Sequence, residues 1–585
     1  MKKGIICIML LALCCSAYAR KVTGSVTCGT EKLEGVIVTD GENFTLTRKN
    51  GKFSFEINDD ADFVHIVTPA GYVADWSTGV PAFYMPAQGC DKFDFSLQKM
   101  SSGAGYHILA ITDTQTRTDA HMDEFAGKPM DDIIKTVKGF SSPAVGINLG
   151  DICWDNVDLL DRYRSEILRA GIPFYSVIGN HDHIAADGTD KAASADYRRL
   201  LGPESYAFFL GNELVIVLDN VIYATDYTNT VLGYTPEVIA WVKELEKLIP
   251  SETGIYVAQH APFAGGRKLR NANALLDILR GRKVVFLTGH THENYNHNIE
   301  KNITEHNVAA ICGAWWDTIY CADGTPRGYK VFTKEGKSLT WYYKPIDFPK
   351  SKIAIAYGLN QTKKHPNSIV VNVWDWDPQW KVEWYEDGEF KGRMDPIKEM
   401  APDYVKGITE AYASYGEEIP GWKMPDYCGH FFAATPNRYA KQVTVSVTGR
   451  FGQTWVETFN LADYEEVEKQ CSTLEEAKAA IDEGVNMIRM TMYPAKNDKI
   501  LAGNPQGLTL AETLDAIEAY IAEQGCSSVR YHLEMIPQKQ YLKYIDACML
   551  ELWPRFLEDR LLITCPEGQM RNRLKEVYPE LHFAE

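Results

Sequence analysis

Pro173-Phe174-Tyr175-Ser176-Val177-Ile178-Gly179-Asn180-His181-Asp182 is a short apolar run that stops on a glycine, an amide, an imidazole and a carboxylate. A run of this length bounded by a turn former predicts a buried strand, with the polar tail at its carboxyl end. The same pattern recurs on either side of it. Apolar runs at 107–111, 144–149, 214–218, 255–258 and 284–287 predict further strands, and amphipathic stretches at 155–170, 236–249 and 270–280 predict helices packed on them. Strand–helix alternation over residues 104–345 predicts an α/β layered domain. In such sheets ligands bind beyond the carboxyl ends of the strands.

Five phrases stand at those ends: Asp113-Thr114-Gln115, Gly150-Asp151, Gly179-Asn180-His181-Asp182, Gln259-His260 and Gly289-His290-Thr291-His292. Taken singly, each has a plain structural explanation. Asp151 could cap the 155–170 helix, and His260 could be an internally satisfied histidine. Taken in order, they assemble the donors that a pair of divalent ions requires: a carboxylate with two oxygens to bridge, and imidazole and amide groups that complete the shells without excess negative charge. The glycines are expected to let the chain turn sharply so that the next side chain faces the site. His290 and His292 share a face if the segment is extended, and could reach different ions if it turns. His121, His183, His297 and His306 match no phrase and are expected at the surface or behind the ligands. Trp315 and Trp316 could wall a pocket or pack in the core.

This ordered set resembles the calcineurin-like metallophosphoesterase superfamily, whose phrases run D-x-H, G-D, G-N-H-[DE], H and G-H-x-H. The resemblance implies a central sandwich of two β-sheets flanked by helices. It implies one ion held by Asp113, Gln115, Asp151 and His292, and a second held by Asp151, Asn180, His260 and His290. It further implies a phosphoric ester hydrolase acting on a phosphomonoester or phosphodiester by attack of a hydroxide bridging the ions, with His181 as general acid and Asp182 orienting it. Gln115 stands where the family usually has histidine. A neutral amide oxygen is a harder, weaker ligand than imidazole, which moves the expected metal from zinc towards manganese or iron, or costs the site its first ion.

Residues 20–100 carry short alternating runs and turn signals (Asp40-Gly41, Asn50-Gly51, Ala70-Gly71) and resemble the carboxypeptidase-regulatory-like β-sandwich modules of secreted bacterial proteins. No catalytic constellation is present there, so a spacer or docking role is expected. Residues 346–460 are rich in tryptophan, with strand-like runs at 369–374, 380–385 and 442–448, and predict a β-rich companion domain that ends on Val445–Gly452. Residues 461–585 turn to αβ, with helices expected at 474–483, 509–523 and 540–551. They resemble the first half of a glycerophosphodiester phosphodiesterase (TIM-barrel-like) fold. Cys471, Arg489, Thr491, Gly503-Asn504 and Ile536 replace that family's metal and acid–base residues, and only Glu534 matches. A truncated, catalytically dead relative is the expectation.

The start of the chain reads as a leader. Lys2 and Lys3 precede an apolar run from Ile5 to Cys15, and Ala17-Tyr18-Ala19 fits a cleavage site, so residues 1–19 form a predicted signal peptide and export to the periplasm or cell exterior is expected. The run is too short for a permanent membrane span. The 585 residues carry a formal charge of −18, which argues against a nucleic-acid backbone and leaves a small phosphorylated substrate as the expected partner. The competing reading, a non-catalytic surface protein that binds a ligand through its β domains, requires that some of Asp151, Asn180, His181, His260, His290 and His292 be lost, and all six are present.

Overall fold

The computed structural model describes residues 19–100, 105–184, 189–223, 230–264, 268–494, 500–502, 508–527, 529–535, 548–552, 555, 559–565, 567–579 and 583. The predicted leader up to Tyr18, Gly503-Asn504, Ile536 and most of the expected 540–551 helix lie outside them. The chain forms two compact units, Met1–Trp316 with Arg327–Ile346, and Asp317–Pro326 with Asp347–Glu585.

In the first unit, residues 105–316 and 327–346 form two sheets face to face. One runs Phe174–Ser176, Ala144–Asn148, Gly105–Ile111, Gly328–Glu335, Ser338–Pro345. The first three of these are parallel, and Gly328–Glu335 runs antiparallel both to Gly105–Ile111 and to its hairpin partner Ser338–Pro345. The other runs Tyr206–Leu210, Glu213–Val217, Ile255–Ala258, Val284–Thr288, Ile303–Asn307, Tyr295–Glu300, with a parallel centre and antiparallel edges. Alternation along Gly105–Ile111 explains the layering. Ile108 and Ala110 face the second sheet's Val215, Val217, Tyr256 and Leu287, whereas Leu109 and Ile111 face Met122, Phe125, Ile133 and Tyr163 of the helices outside. On the far side Trp241, Leu245, Leu275 and Leu279 cover the second sheet. Strands buried on both faces must be apolar throughout, which is why they appear as unbroken runs.

The amino-terminal sandwich is a continuation of this body and not a detached spacer. Its strand Lys92–Lys99 alternates buried Phe93, Phe95 and Leu97 with exposed neighbours. The core they join runs without a break into Tyr106, Tyr175, Tyr206 and Phe208. Phe83 lies 4.6 Å from the Tyr206 ring, Tyr175 stacks on Phe208 at 3.8 Å, and Phe209 N donates to Thr68 O at 2.8 Å. The sandwich buries its apolar surface partly against the α/β layers, so it is docked on its own neighbour.

The second unit contains two four-stranded antiparallel sheets packed around Val371, Val373, Trp380, Val382, Phe432, Val445 and Val447. The last strand of this β region is Thr454–Asn460, reached through a turn at Gly449–Gly452 in which Gly449 N donates to Gln453 O. Further on, Glu468–Gln470, Met487–Pro494, Arg530–Met535 and Leu561–Thr564 lie side by side, parallel and in chain order. Helices Leu474–Glu483 and Leu510–Gln524 contribute to the apolar core on one face. These are four parallel strands, and no closed barrel is formed among the described residues. No described helix is long and apolar enough to cross a membrane.

Phe83→Ala is expected to lower the unfolding free energy of the first unit by about 3–5 kcal/mol, with sandwich and α/β layers melting in one urea transition. Two transitions, with the α/β midpoint unmoved, would show that the shared core does not couple them.

Candidate functional site

All five phrases emerge at one edge of the facing sheets, and backbone pairing holds their loops together. Leu149 N donates to Ile111 O at 2.8 Å, Asp113 N to Gly150 O at 3.0 Å, Gln115 N to Asp151 O at 2.9 Å and Trp154 N to Thr116 O at 3.0 Å. The loops after Gly105–Ile111 and Ala144–Asn148 thus continue the parallel pairing of their strands past the sheet. The ligand candidates themselves take the left-handed backbone: φ is 50° at Asp113, 42° at Gln115, 51° at Asp151, 73° at His290 and 54° at His292. Each such residue costs on the order of 1–2 kcal/mol and persists only where its surroundings hold it.

The glycines act differently from the expectation. Gly150 alone uses positive φ, at 102°. Gly179 and Gly289 are needed for room: a Cβ on Gly179 would land on Asp151 N and Oδ1, and one on Gly289 would land on Thr112 Oγ1. Close approach between loops, more than sharp turning, makes these positions glycine.

Asp151 is the meeting point. It is 1% exposed. Its Oδ1 accepts from His181 N at 2.9 Å, and its Oδ2 accepts from Gln115 Nε2 at 3.0 Å and lies 3.3 Å from His260 Nε2. His260 Nε2 is also 3.2 Å from Asn180 Oδ1 and 3.1 Å from His290 Nδ1. Asp151, His260 and His290 each present a donor atom within 4.8 Å of the other two. On the other side, His292 Nε2 lies 3.4 Å from Asp113 Oδ1. Asp113 Oδ2 accepts from Thr112 Oγ1 at 2.7 Å and His290 N at 2.9 Å. All seven ligand candidates are therefore brought together in two groups that join at Asp151.

The electrostatics require cationic partners. Burial opposes the charge of Asp151, but His260 first, then His181 and His290, hold it well below the usual carboxylate range. Asp113 is likewise lowered, His292 outweighing burial. Reciprocally, burial would lower His260, but Asp151 raises it to about 9. Asp113 Oδ1 and Gln115 Oε1 are buried and make no hydrogen bond. An orphaned buried acceptor costs about 1–3 kcal/mol, and a divalent cation is a partner that carboxylate, amide and imidazole donors together would satisfy. The residues fit a metal pair.

His181 is half-buried, and its Nδ1 lies 2.8 Å from Asp155 Oδ1. Asp182 does not orient it. Asp182 Oδ1 accepts from Ile152 N at 2.8 Å and Cys153 N at 3.0 Å, and Oδ2 from Gly179 N at 2.9 Å, so its carboxylate is committed to the backbone of two loops. Burial, and then Asp151, push Asp182 up to about 7. Asp155 was not singled out in the sequence, although it lies four residues beyond Asp151 and takes φ 58°. Spacing alone does not distinguish it from a helix-start aspartate. Asp151 and Asp155 together hold the His181 pKa above its ordinary value against burial.

The remaining histidines divide. His183 is fully buried, with Nδ1 2.8 Å from Gly179 O, and His306 is buried against Phe332 and Trp341. His121 is half-buried and His297 is exposed. Trp315 stacks on His292 at 4.2 Å, Trp316 Nε1 donates to Thr114 O at 3.1 Å, and Trp154 meets His181 edge-on at 5.8 Å. The site opens on the side of Asn180, His181 and His290, which are part-exposed. Residues 185–188 and 224–229 are outside the described set.

Residues 106–294, which contain all seven ligand candidates, match the family model described as calcineurin-like phosphoesterase. Residues 20–100 match the N terminal of calcineurin-like phosphoesterase, and residues 305–455 match its C terminal. The chain is a calcineurin-like metallophosphoesterase with N- and C-terminal companion domains. Among solved structures it is similar to a dimetal phosphatase from Danio rerio, at 13% identity over 41% of this chain and 96% of that one, TM-score 0.31. It is also similar to a purple acid phosphatase from yellow lupin seeds, at 10% identity over 54% and 67%, TM-score 0.32. A third likeness is to a 5'-nucleotidase from Candida albicans, at 12% identity over 42% and 53%, TM-score 0.29. No curated protein matches the chain.

Gly179→Ala is expected to abolish stoichiometric metal binding, because the added methyl displaces Asp151. Elemental analysis of the purified variant would check this; a full metal complement would show that the loops can part without loss of the site.

Proposed function

We propose that this calcineurin-like phosphoesterase is an exported, two-metal hydrolase of a phosphomonoester or phosphodiester. The observation that carries the proposal is the pair of buried, unbonded acceptors Asp113 Oδ1 and Gln115 Oε1 beside the cluster Asp151, His260, His290. Asp113, Gln115, Asp151 and His292 would hold one ion, and Asp151, Asn180, His260 and His290 the other. Bound there, two divalent ions would polarise the phosphoryl oxygens and make a water nucleophilic near neutral pH.

The chain's own residues do the rest. Hydrolysis joins a water oxygen to phosphorus, breaks the bond from phosphorus to the leaving oxygen, and requires one proton on that oxygen. His181 is the part-exposed imidazole at the mouth; with Nδ1–H donating to Asp155 at 2.8 Å, it is the imidazolium form that carries a second proton at Nε2 for the leaving oxygen. Asp155 is thus the positioning residue, fixing ring and tautomer. Asp182 ties the loop of His181 to Ile152 and Cys153 and so keeps the donor at a constant distance from Asp151. Export rests on Lys2-Lys3 and the apolar run to Cys15.

For residues 461–585 the reading as an inert, partial relative of a phosphodiesterase barrel is kept. Its support is the chain-order parallel strands, and Arg489, which pairs at 3.5 Å with Glu534 where a metal-binding acid would be needed.

The full chain loaded with manganese should hydrolyse p-nitrophenyl phosphate or its bis-ester, and the faster of the two identifies a phosphatase or a diesterase. Chelation should remove activity, and manganese should restore it; no turnover of either ester with two metals bound would overturn the proposal. His181→Asn should keep its metals and slow turnover about 100- to 10,000-fold, most for poor leaving groups. Asp155→Ala should follow the same pattern at about 10- to 100-fold. Equal slowing of good and poor leaving groups would remove the general-acid assignment.

A further inference from the structure

Arg117 follows the first ligand phrase by two residues, and its guanidinium carbon lies 5.3 Å over the Trp154 ring. Trp154 in turn meets His181 edge-on, with ring centroids 5.8 Å apart and planes at 66°. One aromatic ring therefore contacts both an exposed cation and the imidazole at the mouth of the site. We propose that Arg117, on its Trp154 platform, binds a leaving group that carries a negative charge of its own. The inference rests on the reading of His181 as proton donor, since that donor marks the side on which the leaving oxygen departs.

Three features argue for a ligand-binding cation over a solvated surface charge. First, the backbone of Arg117 is anchored: Asn156 Nδ2 donates to its carbonyl at 2.9 Å, its N–H meets His121 Nδ1 at 3.4 Å, and Trp154 N bonds Thr116 O at 3.0 Å. An anchored group loses less freedom on binding. Second, its guanidinium forms no ion pair with a carboxylate among the described residues, whereas nearby Arg162 pairs with Asp119 and Asp123, and Arg327 with Glu124. Third, a guanidinium held over an indole face by cation–π attraction keeps N–H groups free in its own plane, and these can receive a carboxylate or phosphate through two hydrogen bonds. The guanidinium itself covers one face of Trp154, which favours an anionic leaving group over a flat aromatic one.

The test compares leaving groups of similar acidity and different charge: phenyl phosphate, 3-carboxyphenyl phosphate and 3-phosphonophenyl phosphate, assayed by phosphate release with the manganese-loaded full chain. The wild type is expected to favour the charged esters about tenfold in kcat/KM at low salt, less at high salt. The stronger of the two identifies carboxylate or phosphate as the preferred charge. In Arg117→Ala the ratio of charged to uncharged ester should fall to near one, and in Arg117→Lys it should be partly retained. Weaker competition by the product 3-hydroxybenzoate in Arg117→Ala gives a binding readout independent of turnover. A wild-type ratio near one with brisk turnover, or a ratio unchanged in Arg117→Ala, would overturn the subsite and leave the phosphoesterase reading standing. No turnover of any ester would overturn both.

Discussion

A carboxylate sealed from water has to be met by charge or by hydrogen bonds, and Asp151 is where this protein concentrates that demand. It takes a backbone amide from the loop of His181, an amide nitrogen from Gln115 and the proximity of His260, and so draws three separate loops to one pair of oxygens. The cost of leaving such a group unpaired is several kcal/mol. Each of those loops is therefore constrained by the same residue, and the backbone pairing of the first two loops and the glycine at 179 follow from the need to approach it closely.

The two-sheet core makes that convergence possible. Strands buried on both faces end at one edge, and five side chains leave that edge in a backbone conformation that residues with a Cβ avoid. Local strain of this kind survives only where packing over-determines it. Here the core between the sheets extends into the amino-terminal sandwich, so the rigidity at the site draws on residues far from it in sequence. The donor set that results is preorganised, with two buried acceptors still lacking hydrogen bonds.

Division of labour between the two aspartates of the region shows how geometry sorts chemically equal groups. Asp182 directly follows His181, yet its oxygens are spent on the amides of Ile152, Cys153 and Gly179. Asp155, on a different loop, meets the imidazole. Next to it in the chain, Trp154 contacts both the His181 ring and the Arg117 guanidinium.

The order of the phrases, their placement after apolar runs and the residue types at 113, 115, 151, 180, 260, 290 and 292 were readable from sequence, because strand burial imposes composition and metal chemistry imposes donor type at each position separately. The α/β layers and the β-rich flanks were readable for the same reason. Which aspartate touches His181, why Gly179 and Gly289 carry no side chain, and that the sandwich shares a core with its neighbour were not. Those depend on distances between atoms on different loops, and a periodic pattern along one chain carries no information about what a second segment brings to the same few ångströms. Sequence determined which groups are available at the sheet edge; only the packing of one loop against another decided which of them meet.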